Sequence, residues 1–208
     1  GTVWMQTSAE YAALTTQAYR AAGLAVTAAL ADPNWTAAYE QTNDFRGLPP
    51  AVILDLDETV LDNSAQEVGV IRSGKPFTEE GFVKWVKEAR AGAIPGAVEF
   101  LHAAVLKGVA PHYITNRSCS PSDADDPTVK VLVNLRIPYA PDRLLCKTAG
   151  SNKTDRRKIV AQKYRILVMV GDGVAEVVVG VGVPRRHPAR DAAPVDPHVR
   201  RLERRGDR

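Results

Sequence analysis

Short apolar runs and longer periodic stretches alternate along the chain, and this alternation predicts its secondary structure. Apolar runs predict buried strands over residues 51–54, 109–114 and 165–170. Helical spacing of apolar side chains and capping signals predict helices over residues 8–31, 78–90, 126–136 and 155–164. Residues 62–77 read instead as a polar, glycine-containing excursion. Alternating strands and helices predict an α/β fold.

Two carboxylates stand directly after the first predicted strand, where ligands bind in open α/β sheets. Asp55 and Asp57 are two residues apart, so in an extended chain they project from the same face. Two anions so close repel each other unless a cation or a proton offsets their charge. The spacing therefore favours a chemical site in which a cation or a proton offsets the two charges, and the alternative is an ordinary polar turn.

The later strands also end in polar residues. Thr115 and Asn116 follow the second strand, and Asp172 follows the third. Lys153 stands just ahead of the last predicted helix, and this position favours it over Lys147 as the lysine of a site at the strand ends. Each of these residues also has a plainer interpretation, as part of a turn, as a solvated charge or as a polar residue after a strand.

Residues 62–92 lie between the first strand and a helix that starts at Ile94-Pro95-Gly96, and they predict a small cap over the site. Within this cap, Phe82 and Trp85 either stack on a nucleobase, since aromatic faces accept any base, or pack the cap helix onto the core. Three arginines are expected at the surface or in support of the site rather than as catalytic groups, namely Arg117, Arg156 and Arg157.

Several motifs together resemble one group of bacterial enzymes. The order Asp-x-Asp, Thr, Lys and Gly-Asp is similar to that of the haloacid dehalogenase superfamily. The segments most similar to the class C acid phosphatases within it are residues 4–11, 54–64, 93–101 and 113–117. These phosphatases are of the outer-membrane lipoprotein e type and act as 5′-nucleotidases. The similarity extends from about residue 3 to about residue 172.

The resemblance implies a haloacid-dehalogenase-like, Rossmannoid three-layer fold with a parallel sheet and a small helical cap. One phosphatase domain would cover residues 1–183, with cap elements at about 1–48 and 62–92. The implied activity is that of a magnesium-dependent acid phosphatase. Its substrates would be phosphomonoesters, above all 5′-nucleotides including nicotinamide mononucleotide. The implied location is the cell envelope, as an outer-membrane lipoprotein or in the periplasm.

Phosphoryl transfer requires a nucleophile, a proton donor and charge neutralisation, and the motif residues can supply them. Asp55 is the expected nucleophile, forming an aspartyl-phosphate, and Asp57 the general acid for the leaving alcohol and base for water. The phosphoryl oxygens would be held by Thr115, Asn116 and Lys153. By the family's pattern, Mg²⁺ would be held by Asp55, Asp172 and the backbone carbonyl of Asp57, with Glu176 as a ligand or as a group orienting metal-bound water.

The carboxyl-terminal end departs from the family, because no aromatic residue follows Glu176. Residues 184–208 contain eight Arg and four Pro but almost no large apolar side chain, so a disordered tail is predicted. A frameshifted reading of a GC-rich gene would explain it. The tail holds eight of the 27 Lys and Arg but only four of the 24 Asp and Glu. Without it the net charge of the chain changes from +3 to −1, so the basic character comes from the tail. Without aromatic residues or a folded motif, nucleic acid is not an expected partner.

Length and composition set the outer limits of the interpretation. The 208 residues, 45% of them hydrophobic, allow one α/β domain with a small insertion. No run reaches the ~18 apolar residues of a membrane helix. No cysteine precedes Trp4, so membrane attachment is expected only through a signal peptide and a lipid anchor missing from this chain. Cys119 and Cys146 form either a disulfide or two thiols. A homodimer is compatible with the sequence.

Besides the nucleotide phosphatase, two other functions remain open. One is a broad-specificity phosphatase or phosphotransferase on the same site. The other is a non-catalytic binding or storage protein on the same fold, which the altered carboxyl-terminal end suggests. The presence of Asp55 favours an enzyme, since non-catalytic relatives on this fold tend to lose the nucleophile.

Overall fold

The computed structural model describes residues 1–42, 44–148, 150 and 152–173, and Glu176 and the expected tail over 184–208 lie outside the described residues. The elements in chain order are α1 Thr2–Thr7, α2 Ala9–Ala31, β1 Pro50–Leu54, β2 Leu61–Asp62, α3 Ser64–Ser73, α4 Glu79–Glu88, β3 Gly92–Ala93, α5 Ala97–Leu106, β4 Ala110–Ile114, α6 Pro127–Asn134, β5 Leu144–Leu145, α7 Thr154–Lys163 and β6 Arg165–Val170. A short 3-10 turn, Pro141–Arg143, precedes β5.

The main sheet has four parallel strands in the order β5-β4-β1-β6. Side chains of β1 alternate between two cores, as those of a central strand must. Val52 and Leu54 pack in the core that contains residues of α2 and α5, whereas Ala51 and Ile53 pack in the core that contains residues of α7. Helices therefore cover both faces of the sheet, and the predicted three-layer α/β fold is confirmed.

A small antiparallel pair of strands, β2 and β3, encloses the segment expected to form a cap. Helices α3 and α4 lie between these two strands in the chain. Helix α1 contacts α3, and α4 contacts α6. Helix α2, by contrast, packs against α5 and β6. Of the amino-terminal elements expected in the cap, α1 therefore lies with α3, and α2 lies on the main sheet.

The prediction of a polar excursion over residues 62–77 is wrong, because these residues contain helix α3. The helix ends at Gly74, whose φ of 64° is the left-handed conformation that glycine adopts at helix ends. Its single buried residue is Ser64, so it lacks the apolar periodicity that reveals a helix in a sequence. Contact with α1 stabilises it, since Thr2 Oγ1 donates a hydrogen bond to Glu67 at 2.8 Å.

His112 gives the folded protein a dependence on pH. Its ring is buried in β4 and packs edge-on against Tyr164, with the ring centroids 4.4 Å apart. Burial lowers the pKa of His112 below its ordinary value of 6.5. The charge of Arg143 also lowers this pKa, whereas the carbonyl of Ala110 and the charge of Asp142 oppose the change. The folded protein therefore takes up a proton here at lower pH than the unfolded chain.

We expect the contribution of His112 to the free energy of unfolding to decrease as the pH falls through about 6.5, because at this residue the unfolded chain then binds more protons than the folded protein. Glu58 acts in the opposite direction, since its pKa is raised in the folded protein. His112→Phe keeps an aromatic ring but removes the titrating nitrogens, so the free energy of unfolding of the variant, relative to that of the wild type, should rise as the pH falls. Urea unfolding of both proteins between about pH 7 and pH 5 measures the two slopes. Equal slopes would contradict the prediction.

Candidate active site

Main-chain hydrogen bonds bring the ends of the strands together at one edge of the sheet. The amide of Asp55 donates to the carbonyl of Val170 at 2.9 Å, so β1 and β6 stay paired as far as Asp55. The amide of Thr115 donates to the carbonyl of Leu145 at 3.1 Å and extends the pairing of β4 with β5. Because the strands are parallel, these residues and Asp172, which follows β6, lie at the same edge.

The side chain of Asp55 is paired with Lys153. Lys153 Nζ lies 2.6 Å from Asp55 Oδ1, and the two side chains are 7% and 11% exposed, respectively. Removing either member of such a buried pair leaves an uncompensated charge, so the two stabilise each other in place. Lys147 is exposed and lines a cavity beside Asp57. The lysine that contacts the expected nucleophile is therefore Lys153.

Asp57 is paired with Arg117. Arg117 Nη2 and Nε lie 2.6 Å and 3.0 Å from Asp57 Oδ1, and the arginine side chain is 2% exposed. Arg117 is therefore not a surface charge. It supports the site, which is the other alternative that the sequence leaves open. Arg117 directly follows Thr115 and Asn116 in the sequence, but its partner is 60 positions away. No local pattern connects two residues so far apart.

Arg156 holds the loop after β4, and it too is buried rather than at the surface. It donates to the backbone carbonyl of Thr115, and its Nη2 donates to Asn116 Oδ1 at 2.7 Å. The amide nitrogen of Asn116 is then the end able to donate to a phosphoryl oxygen. Arg157, the third arginine, is 17% exposed and pairs with Glu40 at 2.7 Å.

The two aromatic residues of α4 occupy different environments. Trp85 is buried, and its Nε1 donates to Asn63 Oδ1 at 2.8 Å. Of the two alternatives left open for Trp85, the structure shows the second, because its ring packs in the core. Phe82 is partly buried and lines, together with Phe77 and Asp57, a cavity of about 340 Å³. Contact between Phe82 and a base stays a prediction.

Glu58 is a residue of the site that the sequence analysis does not single out. Its φ of 55° is in the left-handed region, which is uncommon for a residue other than glycine. Its carboxylate accepts hydrogen bonds from the backbone and side-chain nitrogens of Asn63 at 3.1 Å and 3.3 Å. Burial, and then the charge of Asp57, raise the pKa of Glu58 to about 7. The burial that raises this pKa is a property of the folded protein and has no signal in the sequence.

Cys119 and Cys146 form a disulfide. The sequence leaves open a disulfide or two thiols, and the structure shows the disulfide. The bond joins the loop after β4 to the loop after β5. Beside it, the amide of Lys147 donates to the carbonyl of Arg117 at 3.0 Å. The backbone that carries Arg117 is therefore attached to its neighbouring strand end by one covalent link and one hydrogen bond.

The donor atoms at this edge are those that a magnesium ion prefers. Asp55, the carbonyl of Asp57 and the exposed Asp172 all offer oxygen, and Mg²⁺ takes one or two protein carboxylates together with substrate phosphate. Within the described ranges, no group of three His, Cys, Asp or Glu side chains could hold a metal by itself. The oxygen donors present fit an ion shared with a phosphate substrate. The expected contribution of Glu176 lies outside the described residues.

Comparisons with known proteins agree with this arrangement. Residues 2–179 match the family model described as haloacid dehalogenase superfamily, subfamily IIIB (acid phosphatase). The class C acid phosphatase from Bacillus anthracis is 31% identical with a TM-score of 0.72, over 85% of this chain and 69% of that one. A second structure of that phosphatase, with tungstate bound, is 32% identical with a TM-score of 0.71, and it covers the same 85% of this chain and 69% of that one. The resemblance predicted from the motifs is thus confirmed, and the chain belongs to the acid phosphatases of haloacid dehalogenase subfamily IIIB, which are phosphomonoesterases.

Proposed function

We propose that this acid phosphatase hydrolyses 5′-nucleotides, nicotinamide mononucleotide among them, with Mg²⁺ and through an aspartyl-phosphate on Asp55. The observation that carries the proposal is the contact of 2.6 Å between Asp55 and Lys153 at the carboxyl end of β1. A carboxylate held beside a buried cation can attack phosphorus while the cation remains close to the phosphoryl oxygens. The same contact favours catalysis over simple binding.

The proposed reaction has two steps. In the first, an oxygen of Asp55 attacks phosphorus, the bond from phosphorus to the leaving oxygen breaks, and Asp57 gives its proton to that oxygen. In the second, water attacks the aspartyl-phosphate, Asp57 takes a proton from the water, and inorganic phosphate leaves with the carboxylate of Asp55 restored. The equatorial oxygens are held by Thr115, Asn116 and Lys153. When bound by Asp55, the carbonyl of Asp57 and Asp172, Mg²⁺ would offset the negative charge of nucleophile and phosphate.

The cavity of about 340 Å³ beside Asp57 supports a nucleotide as substrate. A nucleoside attached through its 5′-oxygen would extend from the phosphate into this cavity, where the ring of Phe82 can stack on the base. Tungstate, bound in the related class C enzyme, is a tetrahedral oxyanion like phosphate. An oxyanion at the edge of the sheet and a base near Phe82 are therefore the two ends of the proposed complex.

We also propose a location in the bacterial cell envelope, as a lipoprotein or in the periplasm. The disulfide between Cys119 and Cys146 supports it, because disulfides persist in oxidising compartments. In the described part of the chain, every helix is too short or too polar to cross a membrane.

Phosphate release from a panel of esters tests the proposed function. The panel contains several 5′-nucleotides, nicotinamide mononucleotide, β-glycerol phosphate and p-nitrophenyl phosphate, each with Mg²⁺ and with EDTA. We expect release to require Mg²⁺ and kcat/KM to be highest for the nucleotides. Equal kcat/KM for all esters would favour a broad-specificity enzyme, and transfer to an added alcohol would favour a phosphotransferase. A folded protein that binds nucleotides without releasing phosphate would favour the binding protein.

Asp172→Ala should weaken the affinity for Mg²⁺ strongly, because the ion loses a direct carboxylate ligand. Glu176→Ala should cost less, on the order of the 10–100-fold that is typical when a group beyond the direct ligands is removed. Mg²⁺ titrations of activity and of the thermal unfolding midpoint measure both. Asp125→Ala removes another exposed carboxylate and is the matched control. A larger effect of Glu176→Ala than of Asp172→Ala would contradict the ranking.

A further inference from the structure

The two carboxylate oxygens of Asp57 have unequal surroundings. Oδ1 accepts hydrogen bonds from Arg117 Nη2 at 2.6 Å, from Arg117 Nε at 3.0 Å and from Asn63 Nδ2 at 2.8 Å. Among the described residues, Oδ2 accepts a single, longer bond, from Arg117 Nε at 3.2 Å. The carboxylate is therefore held by one oxygen, while the other has capacity left for further hydrogen bonds.

The orientation of the Asn63 amide follows from its neighbours. Trp85 Nε1 lies 2.8 Å and Arg117 Nη2 lies 3.3 Å from Asn63 Oδ1. Indole and guanidinium nitrogens only donate, so the amide oxygen must face them, and the amide nitrogen must face Asp57. Asn63 and Trp85 are 2% and 8% exposed, and their packing keeps this orientation. Trp85 thus acts on Asp57 through Asn63.

The backbone of Arg117 is fixed independently of Asp57. Its backbone amide donates to Thr115 Oγ1 at 3.1 Å, and its carbonyl accepts from Lys147 at 3.0 Å. The disulfide of Cys119 lies two residues further along. A guanidinium on such a backbone presents its nitrogens in a rigid fork, which a lysine cannot reproduce. The fixed backbone, the 2% exposure of the side chain and the contact of the guanidinium with the ring of Phe82 favour Arg117 as the group that sets the position of Asp57.

We propose that Arg117, with Asn63, is a positioning residue that holds Asp57 by Oδ1, so that Oδ2 is the oxygen that exchanges a proton with the leaving alcohol and with water. The proposal rests on the acid–base role proposed for Asp57. The three close contacts of Oδ1 are all donors, and a guanidinium has no lone pair to accept a proton. A hydrogen on Oδ1 would point at other hydrogens. The transferable proton therefore belongs on Oδ2.

Arg117→Lys is the informative variant, because it keeps the positive charge opposite Asp57 and removes the fork. For β-glycerol phosphate, whose alkoxide needs protonation, kcat/KM should fall by about 10–100-fold, the range typical of lost outer hydrogen-bond partners. For p-nitrophenyl phosphate, whose leaving group needs little protonation, the loss should be much smaller, with KM near that of the wild type. Arg46→Lys, at an exposed arginine with the same forked contact to Asp44, is the matched control.

A double-mutant cycle separates positioning from other roles. In an Asp57→Asn background, Arg117→Lys should cost little more, because the proton-transfer function it serves is already lost. The proposal would be overturned if the two substitutions reduced kcat/KM multiplicatively. It would also be overturned if Arg117→Lys reduced kcat/KM equally for both esters, or raised KM at unchanged kcat. If Asp57→Asn itself shows no dependence on the leaving group, the acid role of Asp57 fails first. If the loss in Asp57→Asn depends on the leaving group but the loss in Arg117→Lys does not, only the role of Arg117 fails.

Trp85→Phe tests the same network from its far end, should Arg117→Lys not fold. Phenylalanine keeps an aromatic ring in the core but removes the N–H that orients Asn63. We expect a smaller loss of kcat/KM than for Arg117→Lys, again larger for β-glycerol phosphate than for p-nitrophenyl phosphate. A loss that is the same for both esters would mean that Trp85 and Asn63 serve stability alone, and would overturn their part in the proposal.

Discussion

Asp55→Asn is expected to reduce phosphate release by several orders of magnitude, as the removal of a covalent nucleophile does in other enzymes. The amide keeps the shape of the side chain and an oxygen that can accept from Lys153, but it has no anionic oxygen to attack phosphorus. The protein should therefore remain folded and still bind phosphate esters. Measurements of kcat with a 5′-nucleotide and with p-nitrophenyl phosphate check the result, since both esters require the same nucleophile.

Two further measurements make this result specific. Wild-type enzyme quenched during turnover should carry one phosphoryl group on the peptide that contains Asp55, and Asp55→Asn should carry none. Asp62→Asn is a matched control, because Asp62 accepts a hydrogen bond from the amide of Ser64 at 2.8 Å and an asparagine oxygen can do the same. Its activity should stay close to that of the wild type. Appreciable turnover by a folded Asp55→Asn protein would show that another group forms the covalent bond.

The framework of the site is predictable from the sequence because it depends on local signals. The apolar runs that become β1, β4 and β6 are short and bounded, and each is followed within two residues by a polar side chain. In a parallel sheet such residues meet at one edge whatever the order of the strands. This is why Asp55 and Thr115 are found where the sequence places them. Helix caps are equally local, since Ser8 and Asp126 accept hydrogen bonds from the first amides of α2 and α6.

The support of the site is not predictable in this way, because it depends on contacts between distant segments. Arg117 and Asp57 are 60 positions apart, and Trp85 and Asn63 are 22 positions apart. An arginine after a turn is usually a solvated charge, and a tryptophan on an amphipathic helix is equally suited to a ligand or to a core. Only the folded contacts of Arg117 with Asp57 and of Trp85 with Asn63 decide between these alternatives.

Asp57→Asn should lower kcat/KM for 5′-nucleotides by roughly 10²–10⁴-fold, the usual contribution of general acid catalysis. An asparagine cannot protonate the leaving ribose oxygen, which is a poor leaving group without a proton. p-Nitrophenolate leaves with little assistance, so the loss of kcat/KM for p-nitrophenyl phosphate should be much smaller. Asp62→Asn again serves as the control. Equal losses for the two esters would argue against the acid role.

The base role of Asp57 should appear in a different kinetic constant. All esters form the same aspartyl-phosphate, so the rate of its hydrolysis cannot depend on the leaving group. In Asp57→Asn, water attacks without a base, and kcat should fall towards one common value for every ester whose first step remains fast. The phosphorylated enzyme should then accumulate during turnover of p-nitrophenyl phosphate, and mass spectrometry of quenched samples would detect it. If p-nitrophenyl phosphate is turned over without accumulation and at an undiminished kcat, a group other than Asp57 activates the water.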